Sequence, residues 1–238
     1  MNKVTVAVII IITALFGGLV VSSFLQKQAD TIDYSQYDST KVIAADENNG
    51  NIADHVRGKA DSSVVLVEYA DMQCPGRASV MPRISELTKL YGDRVAFIFR
   101  SFPIQGHKNA RAASAAIESA SQQGYFWDMV EIMYSNRAGW INLDGSSRTD
   151  EFARLFKTVA PDGDEEKFRS DLSDENIENK INFDYALGAN NDKITGTPAF
   201  LINGKAIDMT EVKTMDDIRN FVEGGIKNAL KEAGLPSE

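Results

Sequence analysis

The chain is poor in cysteine and histidine, two residue types that hold metals in proteins. Its 238 residues include one cysteine, Cys74, and two histidines, His55 and His107. A single thiol excludes an internal disulfide and a cysteine-based zinc site, and the two histidines lie too far apart in sequence to form a local ligand pair. We therefore expect no metal site and no bound cofactor.

An excess of basic charge is also missing. The chain carries 25 Lys and Arg residues against 34 Asp and Glu residues, for a formal net charge of −9. Because a protein binds nucleic acid through a basic face that neutralises phosphates, this balance argues against nucleic acid as a partner. With 43% hydrophobic residues, the chain is long enough to bury a core in one domain that carries an insertion.

One long apolar run stands near the N-terminus. Residues 4–24 contain no charged side chain and are long enough to cross a hydrocarbon core of about 30 Å as a helix. A secretory signal peptide has a shorter apolar region, usually of ~7–15 residues, which ends in small residues at a cleavage site. We predict that residues 1–25 form a transmembrane signal anchor rather than a buried core helix, because no face of the run is polar.

The charges beside this run predict its orientation. Lys3 precedes it, and the acidic residues Asp30 and Asp33 follow it. This weak positive-inside signal puts the N-terminus in the cytoplasm. The sequence therefore predicts a single-pass protein of the cell membrane whose catalytic domain is extracytoplasmic.

The composition changes after the apolar run. Residues 26–60 are rich in Asp, Ser, Asn and Gln and poor in large apolar side chains, which is typical of a flexible polar linker. Only residues 41–45 have the composition of a short strand. The folded domain is then predicted over residues 61–238.

The folded domain opens with a strand, a helix and a second strand. Residues 63–69 are a continuous apolar strand of the kind covered on both faces, in which Glu68 is an anomaly. Residues 75–91 have helical spacing, with a kink expected at Pro82, and residues 94–100 form the next strand. So short a βαβ unit predicts two parallel strands joined by a right-handed crossover.

A long helical stretch separates this unit from the last strands. A turn signal at Asn203 and Gly204 predicts that the chain returns as an antiparallel hairpin after Pro198, with a second strand at 206–208 and a closing helix at 215–233. The segments with helical patterns, which together predict an inserted helical domain over about 106–190, are 109–121, 126–134, 150–160, 164–172 and 177–188.

Cys74 stands where the first strand gives way to the helix, in the sequence Cys-Pro-Gly-Arg. The N-terminus of a helix presents backbone N–H groups and the positive end of its dipole, which stabilise a thiolate. We interpret Cys74 as a redox nucleophile, with Pro75 and Gly76 as supporting residues of the site. The competing interpretation is that Cys74 is a small buried hydrophobic residue.

Three motifs, in this order, span most of the folded chain: residues 68–75 (EYADMQCP), residues 107–113 (HKNARAA) with GYFW after them, and residues 196–198 (GTP). From about residue 60 onwards the chain resembles the DsbA-like family of thioredoxin-fold thiol–disulfide oxidoreductases. The resemblance implies an α/β thioredoxin-like fold with an inserted helical domain.

The resemblance also assigns roles to residues and partners. It implies that Cys74 is catalytic and that Thr197 and Pro198 form a substrate-binding loop with a cis proline. The backbone of Thr197 then pairs with an extended client segment by strand addition. The implied partners are extracytoplasmic polypeptides with thiols or disulfides, and a membrane redox partner or a low-molecular-weight thiol.

The chain departs from the family motif, Cys-x-x-Cys, because Arg77 occupies the second cysteine position. A mixed disulfide on Cys74 then has no internal thiol to resolve it, so the resemblance implies impaired or monothiol chemistry. It also makes Glu68 the buried acid of the family's site. We hypothesise that Glu68 pairs with Arg77, and that the charge of Arg77 favours the thiolate of Cys74.

Other interpretations stay open. The chain is alternatively a redox-inactive thioredoxin-fold module that binds polypeptides or acts as a chaperone, and a one-cysteine peroxidase ranks last because no peroxide-pocket motif is present. His107 is predicted to cap or pack a helix rather than to take part in catalysis. Met72 and residues 102–104 are candidates for apolar client contacts or for core packing.

Overall fold

The computed structural model describes residues 32–209 and 211–238, and its centre is a five-stranded mixed sheet in the order β1-β3-β2-β4-β5. The second and third strands in chain order are parallel, as the sequence predicts, and the other neighbours are antiparallel. The strands are β1 (His55–Gly58), β2 (Val65–Ala70), β3 (Ala96–Ser101), β4 (Ala199–Ile202) and β5 (Lys205–Ala206).

The predicted helical insertion between β3 and β4 is present. One helix of the insertion begins earlier than predicted, at Gly145 instead of residue 150, because its first turn is polar and carries no apolar spacing. Pro82 lies inside the first helix, which continues through it to Tyr91. The helices are α1 (Pro75–Tyr91), α2 (Ala110–Ser121), α3 (Phe126–Ser135), α4 (Arg137–Trp140), α5 (Gly145–Val159), α6 (Glu165–Asp171), α7 (Glu175–Asn190) and α8 (Met215–Glu232).

Hydrophobic side chains cover both faces of β2, which explains its unbroken apolar sequence. Leu66 points into a cluster with residues of α1 and α8, whereas Val67 belongs to a second cluster with residues of β3 and β4. A third cluster joins the insertion to the sheet: it contains the fully buried Trp140 and Phe156 together with Phe99 of β3. The sheet is therefore a central layer that holds the end of β2 in a fixed place.

The predicted flexible linker over residues 26–60 is wrong for residues 37–60, which pack on the domain. Residues 55–58 are the edge strand β1, paired with β3, and the predicted short strand at 41–45 is absent from the described residues. Ile43 and Asn49 are buried. Composition misleads here because this segment is held mainly by hydrogen bonds and ion pairs rather than by large apolar side chains. A separate 3₁₀ turn, Tyr34–Gln36, precedes it.

Buried charges join this segment to the sheet and to α7. Arg100 on β3 donates to the carboxylate of Asp54 at 2.7 Å and to the carbonyl of Lys41 at 3.2 Å. Lys180 on α7 lies 3.5 Å from Asp54 and 2.7 Å from Asp184. Burial raises the pKa of Asp184 to about 6, although the charge of Lys180 opposes the rise.

The predicted transmembrane segment, residues 1–25, lies outside the described residues. Over residues 32–209 and 211–238, none of the helices has both the length and the apolar character needed to span a bilayer.

Candidate active site

Cys74 is the N-cap residue of α1, at the carboxyl end of the buried strand β2. Its backbone N–H donates to the carbonyl of Asp71 at 3.0 Å, which closes the turn between strand and helix. Pro75 follows at the first helical position, where its fixed φ suits the helix and its missing N–H costs nothing. Cys74 is buried, with 7% of the residue's surface exposed.

The loop before β4 reaches the sulfur. The Cys74 thiol donates to the carbonyl oxygen of Thr197 at 3.2 Å, and the Thr197–Pro198 peptide bond is cis, which confirms the predicted cis proline. A Cβ atom added to Gly76 would lie 3.6 Å from Cδ of Pro198 and 3.7 Å from Sγ of Cys74. The structure therefore brings Cys74, Gly76, Thr197 and Pro198 together, although more than 100 residues separate the two halves of the site.

Arg77, three residues after Cys74, forms a buried ion pair with Glu68, as hypothesised from the sequence. Nη2 of Arg77 donates to Oε2 of Glu68 at 2.9 Å, and Nε of Arg77 contacts Oε1. The two side chains are 3% and 5% exposed. The two contacts match the bidentate pairing that a guanidinium makes with a carboxylate. Arg77 therefore points inward, toward the sheet.

Burial and the charge of the partner have opposite effects on the pKa values of Glu68 and Arg77. Burial raises the pKa of the Glu68 carboxyl above its usual range, and the charge of Arg77 opposes that rise. For Arg77, burial lowers the pKa, but Glu68 outweighs it and the net direction is upward. Since Glu68 neutralises most of the field of Arg77, the positive charge that reaches Cys74 is weaker than the sequence alone suggests.

Tyr134 connects this pair to the turn before Cys74. The guanidinium of Arg77 lies 4.8 Å from the centroid of the Tyr134 ring, a cation–π distance. The Tyr134 hydroxyl donates to the carbonyl of Asp71 at 3.1 Å. No local pattern in the sequence indicates Tyr134, because its helix α3 lies in the insertion, 63 residues from Asp71.

The carboxylate of Asp71 is the centre of the turn before Cys74. Asp71 is fully buried and accepts hydrogen bonds from the N–H groups of Gln73 at 2.6 Å and Ile104 at 2.8 Å. Nδ1 of His107 lies 2.6 Å from the same carboxylate. His107 thus packs as predicted, but it packs against the nucleophile loop, and no local pattern in the sequence indicates this contact.

Gln73 attaches the same loop to the insertion. Its side-chain oxygen accepts the backbone N–H of Asn109 at 2.7 Å, and its carbonyl accepts Nε of Arg137 at 2.8 Å. The insertion therefore positions the residue that directly precedes Cys74. The sequence offers no signal for Asn109 or Arg137, because these contacts join residues that are distant along the chain.

The apolar residues considered for client contacts are mostly core. Met72, Phe102 and Pro103 are buried, and only Ile104 is partly exposed. Tyr185 on α7 stacks on Phe102 with ring centroids 4.6 Å apart and is itself exposed. The described residues contain no group of three or more His, Cys, Asp or Glu side chains that is able to hold a metal ion.

Comparison with known proteins agrees with this geometry. The chain is similar in structure to oxidised BdbD of Bacillus subtilis, with a TM-score of 0.58 and 21% identity over 80% of this chain and 99% of the other. It is also similar to α-DsbA1 of Wolbachia pipientis, with a TM-score of 0.57 and 21% identity over 76% of this chain and 94% of the other. At such identities the similarity shows the fold.

A curated relative adds a partial match. The Na(+)/H(+) antiporter NhaA of Nitrosospira multiformis is 29% identical over 155 residues, which are 65% of this chain and 23% of the antiporter. The chain thus spans about a quarter of that relative's length. The family model described as thioredoxin matches residues 50–224. Since that match covers most of the chain and both halves of the site, this chain belongs to the thioredoxin family and has the fold of DsbA-like thiol–disulfide oxidoreductases.

Proposed function

We propose that this chain is a membrane-anchored, extracytoplasmic thiol–disulfide oxidoreductase that acts on protein thiols and disulfides through Cys74 alone. The observation that carries the proposal is the position of the Cys74 sulfur, at the N-terminus of α1 and 3.2 Å from the carbonyl of Thr197 beside cis Pro198. Arg77, at the second position of the family motif, leaves one thiol in the site.

The proposed reaction is thiol–disulfide exchange. The Cys74 thiolate attacks one sulfur of a client disulfide, a new S–S bond forms between them, and the other client sulfur leaves as a thiolate. A low-molecular-weight thiol, or a second thiol of the client, then attacks the mixed disulfide and regenerates Cys74. The helix N-terminus stabilises the attacking thiolate, and the backbone of Thr197 supports an extended client segment by strand addition.

The proposed location rests on the sequence. The apolar residues 4–24 supply an anchor of membrane-spanning length, and Lys3 before them favours a cytoplasmic N-terminus. In this arrangement the Cys74 site faces client proteins outside the cytoplasm. The partner that renews the site is a membrane redox protein or a small thiol.

The experiment is a covalent trap with the full chain in detergent. The reduced protein is mixed with a disulfide-linked peptide, and intact masses are recorded before and after glutathione is added. We expect one peptide per chain, released by glutathione, and no adduct with Cys74→Ser. Absence of an adduct at every pH between about 6 and 9, where a free thiol ionises increasingly, would overturn the proposal.

A second candidate function is polypeptide binding without redox turnover. It is supported by the burial of Arg77 against Glu68, which leaves the second motif position without a thiol and out of contact with solvent. The two functions differ in how they depend on Cys74. A binding module holds an unfolded peptide equally well after Cys74→Ser, whereas the proposed enzyme loses its covalent complex.

A further inference from the structure

Over the part of the chain that the structure describes, two arginines of the insertion, Arg137 and Arg148, have no acidic partner, unlike the other arginines. The chain has a net charge of −9, and the remaining arginines within the described residues each lie within 4 Å of a carboxylate. Arg137 and Arg148 form no such ion pair in that part of the chain. Within the described residues, these are therefore the two arginines whose charge is open to an anionic group of a ligand.

Arg137 is tied directly to the nucleophile loop. Its Nε donates to the carbonyl of Gln73 at 2.8 Å, one residue before Cys74. The side chain is partly exposed, and its Nη1 and Nη2 groups make no hydrogen bond to the described residues. The guanidinium is therefore held beside the reactive cysteine with two donor groups available to a ligand.

Arg148 is connected to the same loop indirectly, through Asn109. Its Nη1 donates to Oδ1 of Asn109 at 2.8 Å, and the backbone N–H of Asn109 donates to the side chain of Gln73 at 2.7 Å. Both arginines thus reach the same residue, Gln73, one directly and one through Asn109. Hydrogen bonds thus connect two positive charges to the residue that precedes Cys74.

The acidic residues near these arginines, Asp144 and Asp71, already have partners of their own. Asp144 pairs with Lys108 at 2.6 Å. Asp71 is buried and accepts N–H groups of its own loop as well as the contact with His107. No other carboxylate of the described residues lies within ion-pairing distance of Arg137 or Arg148. Within the described residues, the charges of Arg137 and Arg148 are therefore not offset by a contacting carboxylate.

We propose that Arg137 and Arg148 make the Cys74 site selective for clients whose reacting cysteine is flanked by Asp or Glu. This inference rests on the proposed function and deepens it. A guanidinium binds a carboxylate with two parallel hydrogen bonds, which an ammonium cannot reproduce. The step is the exchange described above: Cys74 attacks the client disulfide, and the second client cysteine leaves as a thiolate.

The test uses three symmetrical peptide disulfides of equal length, in which the cysteine is flanked by two Asp, two Asn or two Lys residues. Rates of adduct formation with the full chain are divided by the rates with 2-mercaptoethanol, which removes the intrinsic reactivity of each peptide. We expect the Asp peptide to react at least about fivefold faster than the Lys peptide at low ionic strength. The preference should shrink toward one at about 1 M salt, because salt screens exposed charges.

Variants then assign the preference to the two arginines. Arg137→Gln should lower the Asp-to-Lys ratio about threefold, and the double variant with Arg148→Gln should abolish it. Because Arg137 also holds the backbone of Gln73, the readout is this ratio, in which a general loss of rate cancels. Arg137→Lys keeps the charge but loses the paired hydrogen bonds of the guanidinium, so its ratio should lie between those of wild type and Arg137→Gln. Lys89→Gln is the matched control, since it removes one exposed cation at the far end of α1, about 20 Å along the helix.

The outcomes separate this inference from the proposed function. If the wild-type chain forms no adduct with any of the three peptides, the proposed function fails. If it reacts with all three at equal normalised rates, or if the double variant keeps the wild-type ratio, the selectivity is overturned and the proposed function stands.

Discussion

The buried pair of Glu68 and Arg77 decides how the single thiol of this site behaves. Arg77 brings a permanent positive charge to the first turn of α1, and Glu68 on β2 neutralises most of it. Arg77 thus links α1 to the sheet through its ion pair with Glu68. Removing either partner leaves an uncompensated charge in the interior, which is costly.

Glu68→Gln tests this balance. We expect the free energy of unfolding to fall by about 3 kcal/mol, because Arg77 loses its buried partner. Cys74 should be alkylated by iodoacetamide several-fold faster near neutral pH, because the charge of Arg77 then acts on it unopposed. Denaturant titration and alkylation kinetics measure the two effects. Glu178→Gln is the control, because it removes an exposed partner of Arg111. If Glu68→Gln left both the stability and the alkylation rate unchanged, Glu68 would not balance the charge of Arg77.

Arg77→Cys should convert the monothiol site into a dithiol site. The second thiol stands one helical turn from Cys74 and attacks the mixed disulfide internally, so a peptide adduct is released without glutathione. Mass spectrometry should then show that the adduct is lost and that an internal disulfide has formed. Arg77→Ser removes the same ion pair without adding a thiol, and its adduct should persist. Equal adduct lifetimes in the two variants would refute the role assigned to the second position.

At the scale of elements, helix α3 supports the site through one side chain. The ring of Tyr134 packs on Arg77, and its hydroxyl holds the turn at Asp71. Tyr134→Phe keeps the ring and should cost about 1 kcal/mol for one buried hydrogen bond. Tyr134→Leu also removes the cation–π contact and should cost at least about twice as much. Urea denaturation measures the loss of stability in each variant. Equal losses would show that the contact between the Tyr134 ring and Arg77 does not contribute to stability.

The junction between α7 and β3 predicts a dependence on pH. The pKa of Asp184 is raised by burial from 3.8 to about 6, so the folded state binds this proton more tightly than the unfolded state does. Its contribution to stability is complete below about pH 4 and is lost as pH rises through 6. The stability advantage of wild type over Asp184→Asn should therefore shrink by up to about 3 kcal/mol between pH 4 and 7.

Denaturant titrations of both proteins over this pH range check the prediction, since the effects of acids that do not interact with Asp184 cancel in the difference. Asp192→Asn, at a carboxylate that accepts hydrogen bonds from Ser39 and Tyr69, is a control with the same chemical change. A difference between wild type and Asp184→Asn that stays constant with pH would contradict the raised pKa.

At the scale of the whole molecule, the proposal of an anchored enzyme makes a prediction about its location. We expect the full chain to remain with membranes after alkaline extraction, and a variant without residues 1–25 to be released. Protease added to intact cells should degrade the Cys74 domain, while a tag placed before Met1 stays protected. A tag cleaved along with the domain would contradict the predicted orientation.

The sequence alone was sufficient for the local parts of the fold. Residues 63–69 read as a strand covered on both faces because its apolar run is unbroken, and Cys74 followed by Pro75 marks the start of a helix. The parallel pairing of β2 and β3 followed from the short βαβ unit. These features depend on neighbouring residues, whose spacing is visible in the chain itself.

Other features were decided only by the tertiary structure. The polar composition of residues 37–60 is typical of a linker. In the structure, however, the carbonyl of Lys41 accepts a hydrogen bond from Arg100, and Asp54 pairs with Lys180. Both partners lie far along the chain. The supports of Cys74, among them Tyr134 and Arg137, lie more than 60 residues from the turn that they hold. The sequence alone showed that the chain has a single thiol, Cys74, and it predicted that this thiol is the nucleophile. Only folding decided which charges surround that thiol, because hydrogen bonds and ion pairs between distant residues leave no periodic pattern in the chain.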